Sequence, residues 1–374
     1  MEKVVNKDCW QTLQQAIDEV SANGGGRVTV TGNISNAHTI FLKSGVELHL
    51  MHNVSITGSA DYNDYVDFNP PELCNIKPEK FNHTLIAAVN ADNIAITGDG
   101  TLEIPGVKFY DEKSGGRFFA KPATPRPRIL HLVDCNDVLL NDTLYLNAPC
   151  WTIWLSGCQR VAVKGIRIEG DQRMINNDGI DIDGCRDVVV SDCRITTCDD
   201  CLILRAMPRD KEVICENVVL TNCVLSSACQ GIRIGCPSDD IIRNCRFSNM
   251  VLNCPGNGIN IDNPVRYLRS GCSGKLDLSN ITFAHMNINA GWLPIRLGVD
   301  EGVKLRGIRN LVFDDIIMES AFPCDFHGST ETVPENITLR NCKYKQTAPT
   351  EKESLLSVKN CRRFRLENYE IDSL

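Results

Sequence analysis

No stretch of this chain reaches 18 consecutive apolar residues, so nothing in it reads as a membrane span. Basic residues are not in excess. There are 39 Lys and Arg against 47 Asp and Glu, a net charge of −8, whereas a nucleic-acid binder would show a basic field. The opening segment MEKVVNKDCWQTLQQAIDEV lacks the apolar core of a signal peptide. As it stands the sequence predicts a cytoplasmic protein, or a secreted or periplasmic one if a signal was removed. Helical periodicity is missing beyond one segment, and so is the fixed L-x-x-L-x-L spacing of leucine-rich repeats. These absences leave β-structure to build the fold.

What is present is repetition. RVAVKGIRI, DVVVSDCRI and NVVLTNCVL are rich in β-branched residues and read as short strands. An apolar residue following a Cys- or Asn-containing turn anchors each coil: Val138, Val161, Val188, Val218, Ile242, Ile281, Leu311, Ile337 and Phe364. The uneven steps between them fit an all-β, right-handed parallel β-helix, whose turns vary in length. No domain boundary is visible, so residues 1–374 read as one β-helical domain. About residues 8–22, the stripe Trp10, Leu13, Ala16, Ile17 and Val20 predicts a helix, ended by the glycines at 24–26, that caps one end of the solenoid. Two polar excursions, 60–82 and 105–128, are expected to wall a groove.

The 19 cysteines recur at equivalent places in the repeats, which predicts buried free thiols acting as small hydrophobes. Cys193, Cys223, Cys245 and Cys342 are expected mid-strand. CDDC at 198–201 has C-x-x-C spacing but no thioredoxin-like context or second ligand pair, so it carries no redox or zinc reading.

Residues 176–205 read NNDGIDIDGCRDVVVSDCRITTCDDCLILR. Asp178 and Asp199 are 21 residues apart (199 − 178), which suits one β-helical coil and stacks neighbouring strands about 4.8 Å apart. With Asp200, three carboxylates then share one face, the arrangement that acid/base cleavage of a glycosidic bond requires. Adjacent strand residues point to opposite faces, so Asp199 and Asp200 need a bulge or turn between them. Trp151 and Trp154 are expected on opposite faces, with Trp154 free to stack on a sugar. His131 and His285 have no matched metal partners and read as structural.

The helix-plus-GGG opening, HTIFLKSGVELHL, RPRILHLVDCNDVLL, APCWTIWLSGCQRVAVKGIRI, NNDGIDID and CDDCLIL together resemble the polygalacturonase-type glycoside hydrolases of family 28 along nearly the whole chain. The resemblance implies Asp199 as general acid, Asp178 and Asp200 as the pair that activates water, inversion at the anomeric carbon, and no metal or cofactor. Two departures stand out. Gln230 occupies the place of the family's Gly-His-Gly histidine, and Asn260-Ile261-Asp262 replaces its Arg-Ile-Lys. Asp262 would repel a uronate at close range, which argues against ordinary polygalacturonan. Arg233 and Arg296 are candidates for a relocated anion clamp, and Gln230, Asn260 and Asp262 for further substrate contacts. The expected partner is an oligo- or polysaccharide, with no nucleic acid or membrane; nothing in the sequence sets the oligomeric state. A β-helical polysaccharide lyase and a non-catalytic glycan-binding solenoid are the alternatives.

Overall fold

The computed structural model describes residues 1–67, 83–111, 116–122, 125–209, 212–235, 238–265, 275–348 and 355–372. They form two compact units. The first takes the described residues up to 181 together with 185–199; the second takes 182–184 and those from 200 onward. The excursion at 60–82 lies outside the described residues from 68 on.

In the first unit, Ile94, Val138, Val161 and Val188 face one another on successive parallel strands. Ile40, Ile86, Leu130 and Ile153 do the same in a second sheet. All eight are buried, so each coil contributes one apolar residue to each of two stacked columns. The second unit repeats the plan with Val218, Cys245, Ile281, Leu311, Ile337 and Phe364 in one sheet and Leu202, Ile232, Ile259 and Ile295 in the other. Phe247, Phe283 and Phe313 stack behind them, with centroids 4.8 and 5.0 Å apart, a favourable offset arrangement. This is the right-handed parallel β-helix that the repeats predict.

One anchor is corrected. Val218 pairs with Cys245, and Ile242 pairs with Cys215, three residues away from the expected register. The steps are therefore 27 (245 − 218) and 36 (281 − 245) residues. The physical marker is the residue before each anchor. Asn217, Asn244, Asn280, Asn310 and Asn336 all have φ between 53° and 59°, a left-handed corner that Asn tolerates better than most residues. Ile242 has no such corner before it, and Cys245 fills the anchor as a small apolar side chain. The corner amides also bond to one another: Asn280 donates to Asn244 (3.1 Å), Asn310 to Asn280 (2.8 Å) and Asn336 to Asn310 (2.6 Å). Each interior amide thus uses both its donor and its acceptor.

The helix runs Trp10–Ala22 and buries Leu13, Ala16, Ile17 and Val20. Gly24 and Gly25, at φ 88° and 96°, turn the chain out of it, and the Gly25 amide closes back on the Val20 carbonyl at 2.9 Å. A strand that the sequence reading passed over, Glu2–Val5, pairs with Gly26–Val30 ahead of the first full coil. Among the described residues, no helix is long and apolar enough to cross a membrane.

All sixteen described cysteines are free thiols, and thirteen are buried. Cys245 and Cys342 lie within strands as expected. Cys193 and Cys223 instead occupy the breaks between strands Arg186–Ser191 and Arg194–Thr197, and between Ile214–Thr221 and Val224–Ser227. Burial, reinforced by the Asp199 and Asp178 charges, pushes the Cys198 thiol up to about 12. It therefore stays protonated and unreactive at neutral pH. Cys9 is half-buried, and a hydrogen bond from Thr12 lowers its pKa; burial raises Cys361 to about 11. Brief iodoacetamide treatment of the native protein is expected to mark Cys9 before Cys361 and to leave Cys198 and Cys201 unlabelled, as read by peptide mass spectrometry. Labelling of Cys198 at the rate of Cys9 would show an open, activated C-x-x-C.

Candidate active site

In the first unit, Asp178 and Asp199 lie outside the strands, Asp178 in the irregular stretch that leads into one and Asp199 on a bend. Asp178 precedes Ile180–Asp183, and Asp199 follows Arg194–Thr197. The bend at Asp199 supplies the turn that separates it from Asp200. Thr197 Oγ1 donates to the Asp199 carbonyl at 2.5 Å, and the Cys198 and Asp199 amides both donate to Asn177 Oδ1, at 2.6 and 3.3 Å. The Asp199 carboxylate accepts from the Asn176 amide at 3.2 Å and from Asn176 Nδ2 at 3.4 Å. Asp178 is buried while Asp199 is half-buried. Both charges act on Cys198, so the two carboxylates converge on one neighbourhood.

The loop that carries Asn176 is held from the excursion at 105–128. Arg126 is fully buried and donates to the Ile175 carbonyl (2.7 Å), the Pro149 carbonyl (3.1 Å), Asn176 Oδ1 (3.1 Å) and the Tyr110 hydroxyl. Tyr110, Phe119 and Met174 form a small core beneath it, and the Phe119 amide bonds to the Arg173 carbonyl at 2.9 Å. Sequence reading missed Arg126, Asn176 and Asn177. The two asparagines were visible in NNDGIDID, but Arg126 lies in a loop and carried no signal of its own.

In the second unit, an open pocket of about 330 Å³ is lined by Gln230, Asn257, Asn260, Asp262, Trp292 and Arg296, among others. Parallel register brings these residues together: Arg233 faces Asn260, and Asn260 faces Arg296, on three neighbouring strands. Asp262 is not a bare anion. Arg233 grips it through Nε and Nη2 at 3.1 and 3.0 Å, and Arg296 Nη1 reaches it at 3.4 Å. Arg233 also lies 3.5 Å from Asp200. The repulsion expected of Asp262 toward a uronate is therefore corrected, because two guanidinium groups compensate its charge. Arg233 is corrected as well: it is buried between Asp262 and Asp200 and does not line the pocket. Arg296 does. Its side chain is 23% exposed and is steadied by Asn260 Oδ1 at 3.0 Å. Gly298 leaves it room, since a Cβ there would come within 2.5 Å of Arg296 Nη2.

Gln230 meets its neighbour Asn257 at 3.4 Å. Asp183 Oδ1 accepts from the Met207 amide, 24 residues further along the chain, at 2.9 Å. Trp154 departs from expectation. It and Trp151 do not take opposite faces but meet edge-to-face at 5.3 Å, both buried, with Arg128 set 5.0 Å from each ring and His131 stacked on Trp154 at 4.0 Å. The strand begins only at Ile153, so strand alternation never reaches Trp151. Trp154 presents no open face to a sugar. Trp292 is the exposed tryptophan of the pocket.

Among proteins of known name, a "Probable polygalacturonase" from Vitis vinifera is 25% identical over 203 residues, covering 52% of this chain and 40% of that protein. "Exopolygalacturonase B" of Aspergillus niger is 25% identical over 378 residues, covering 88% of this chain and 79% of that protein. The solved exopolygalacturonase from Thermotoga maritima shares the fold, with a TM-score of 0.76 at 20% identity over 99% of this chain and 92% of that one. The chain spans well under two thirds of the length of the grape relative. The signature of Glycosyl hydrolases family 28 runs from residue 36 to 361 and takes in every coil that carries the carboxylates and the pocket. By that match, the chain belongs to family 28 of the glycosyl hydrolases.

Proposed function

We propose that the chain acts as one β-helical domain that hydrolyses a glycosidic bond in an acidic, pectin-type glycan by inversion. Asp199 donates a proton to the leaving oxygen, and Asp178 and Asp200 activate the attacking water. The observation that carries the substrate class is Arg296. Its guanidinium stands at the pocket held by Asn260 and Asp262, so a planar, permanently charged donor is offered to a sugar carboxylate. Family membership and the relatives' names support a pectin-type chain. Replacement of the family's Arg and Lys at positions 260 and 262 supports a substrate other than plain polygalacturonan.

The test is product analysis on a panel of acidic and neutral oligosaccharides, with wild type beside Arg296→Ala. Wild type is expected to cleave uronate-containing substrates and release the inverted anomer, seen by proton NMR at early times. Loss of a charge-assisted hydrogen bond worth about 1.5–3 kcal/mol should raise KM for those substrates by about 13- to 160-fold. Equal turnover of neutral analogues would remove the acidic-glycan reading, and an unsaturated product would move the chain to the lyases.

A further inference from the structure

The last strand of the second unit, Arg362–Asp372, has the sequence RRFRLENYEID. Among the described residues it pairs with one strand alone, Glu335–Gln346. Register sets Phe364 on Ile337, Leu366 on Leu339, Tyr369 on Cys342 and Ile371 on Tyr344. Those four partners are buried, so the four residues continue the inward-facing rows, and the Phe364 ring meets Phe326 edge-on at 5.1 Å. Yet Leu366 is 48% and Ile371 37% exposed, and Phe364 and Tyr369 are only half-buried. No α-helix among the described residues of this unit covers them, whereas in the first unit Trp10–Ala22 packs on the opening strands. A strand of eleven residues with an open edge and an apolar inner row is a template for another strand.

The strand is complementary to itself. Its first half carries Arg362, Arg363 and Arg365, and its second half Glu367, Glu370 and Asp372. Antiparallel pairing with a second copy can match Phe364 with Ile371 and Leu366 with Tyr369, so that inward-facing residues meet inward-facing residues. The same register sets Arg365 opposite Glu370 and Arg363 opposite Asp372, and the two-fold axis repeats every pair. A slip of one residue sets Phe364 or Leu366 against Glu370 instead. Within the chain, Glu370 meets Lys343 at 3.0 Å and Arg365 meets Asn336 at 3.1 Å, which leaves a carboxylate oxygen and further guanidinium donors for the partner. The centre of the pairing falls between Glu367 and Asn368. Asn368, at φ 53°, is the corner where the strand bends, so the bend lies at the axis and each bent strand follows the other. We propose that this edge is a two-fold interface, at which Arg362–Asp372 pairs antiparallel with the same strand of a second copy to give a closed dimer.

The test measures the mass of the full chain by sedimentation equilibrium across micromolar concentrations. Wild type is expected at twice the chain mass, with no larger species. Arg365→Glu or Glu370→Arg alone sets like charges opposite each other at two symmetric places and should weaken the dimer by about 100-fold or more. Mixed in equal amounts, the two variants should dimerise again, because each altered side chain then meets its opposite charge on the other chain. Both substitutions in one chain should restore the dimer for the same reason. A thermal melt of each variant separates a lost interface from a lost fold. A wild-type monomer at every concentration, a dimer undiminished in either single variant, or a mixture of folded variants that stays monomeric overturns the proposal. So does a mass that keeps rising with concentration, the mark of a head-to-tail contact.

Discussion

Asp199→Asn is expected to lower kcat by about 10²- to 10⁴-fold, the range for a lost general acid, with KM within about threefold of wild type. The substitution removes the proposed proton donor and almost nothing else. Asn176 donates to the Asp199 carboxylate from its amide and from Nδ2, and an asparagine Oδ1 accepts both. The bend itself is held by backbone groups of residue 199, the amide on Asn177 and the carbonyl on Thr197, which the variant retains. Arg126 continues to pin Asn176 through Oδ1. Initial rates on the best substrate of the panel, with a thermal melt beside them, check this. A fall of less than tenfold with an unchanged melt would take the proton-donor role away from Asp199.

Asp262→Leu is expected to cost the second unit about 3–5 kcal/mol, the usual penalty for removing one partner of a buried ion pair, and to fall at the low end because Asp200 stays 3.5 Å from Arg233. Asp262 and Arg233 are both nearly inaccessible, and Asp262 takes three guanidinium bonds from Arg233 and one from Arg296. Without it, two guanidinium groups remain on strands two apart, about 10 Å by strand spacing, with Asn260 between them. Asp262→Asn keeps the shape and some of the bonds and should lose less. The double variant Asp262→Leu/Arg233→Met should recover only part of the loss, because well-packed apolar residues often replace a buried pair at no cost but Asp200 then loses the guanidinium 3.5 Å away. Urea unfolding of the four proteins measures this. If the double variant is as unstable as Asp262→Leu, packing and not charge sets the role of Asp262.

The coil architecture was legible because its causes are local. β-branched runs favour strands, and an Asn or Asp in a left-handed corner announces the anchor that follows. The slip at Ile242 came from reading Cys245 as a mid-strand thiol beyond the anchor where it was the anchor itself, and the φ of Asn244 is the corrective signal. The carboxylates were legible for a similar reason: Asp178, Asp199 and Asp200 lie in one contiguous stretch, so their grouping needs only the length of a single coil.

The binding pocket is another matter. Asn260 and Arg296 are 36 residues apart (296 − 260) and face each other only through the register of their two strands. The length of an excursion sets which residues pair, and it leaves no periodic trace. The same holds for Arg126, whose four partners come from three places along the chain, and for Trp292, exposed because two glycines let backbones approach beneath it. The sequence by itself determined the β-helix, its capping helix, its free thiols and its candidate carboxylates, since each rests on patterns within one coil. Only the tertiary structure decided that Asp262 is neutralised, that Arg233 is buried while Arg296 faces the pocket, and that Trp292 and not Trp154 is open to a sugar, because those facts depend on register between strands of different coils.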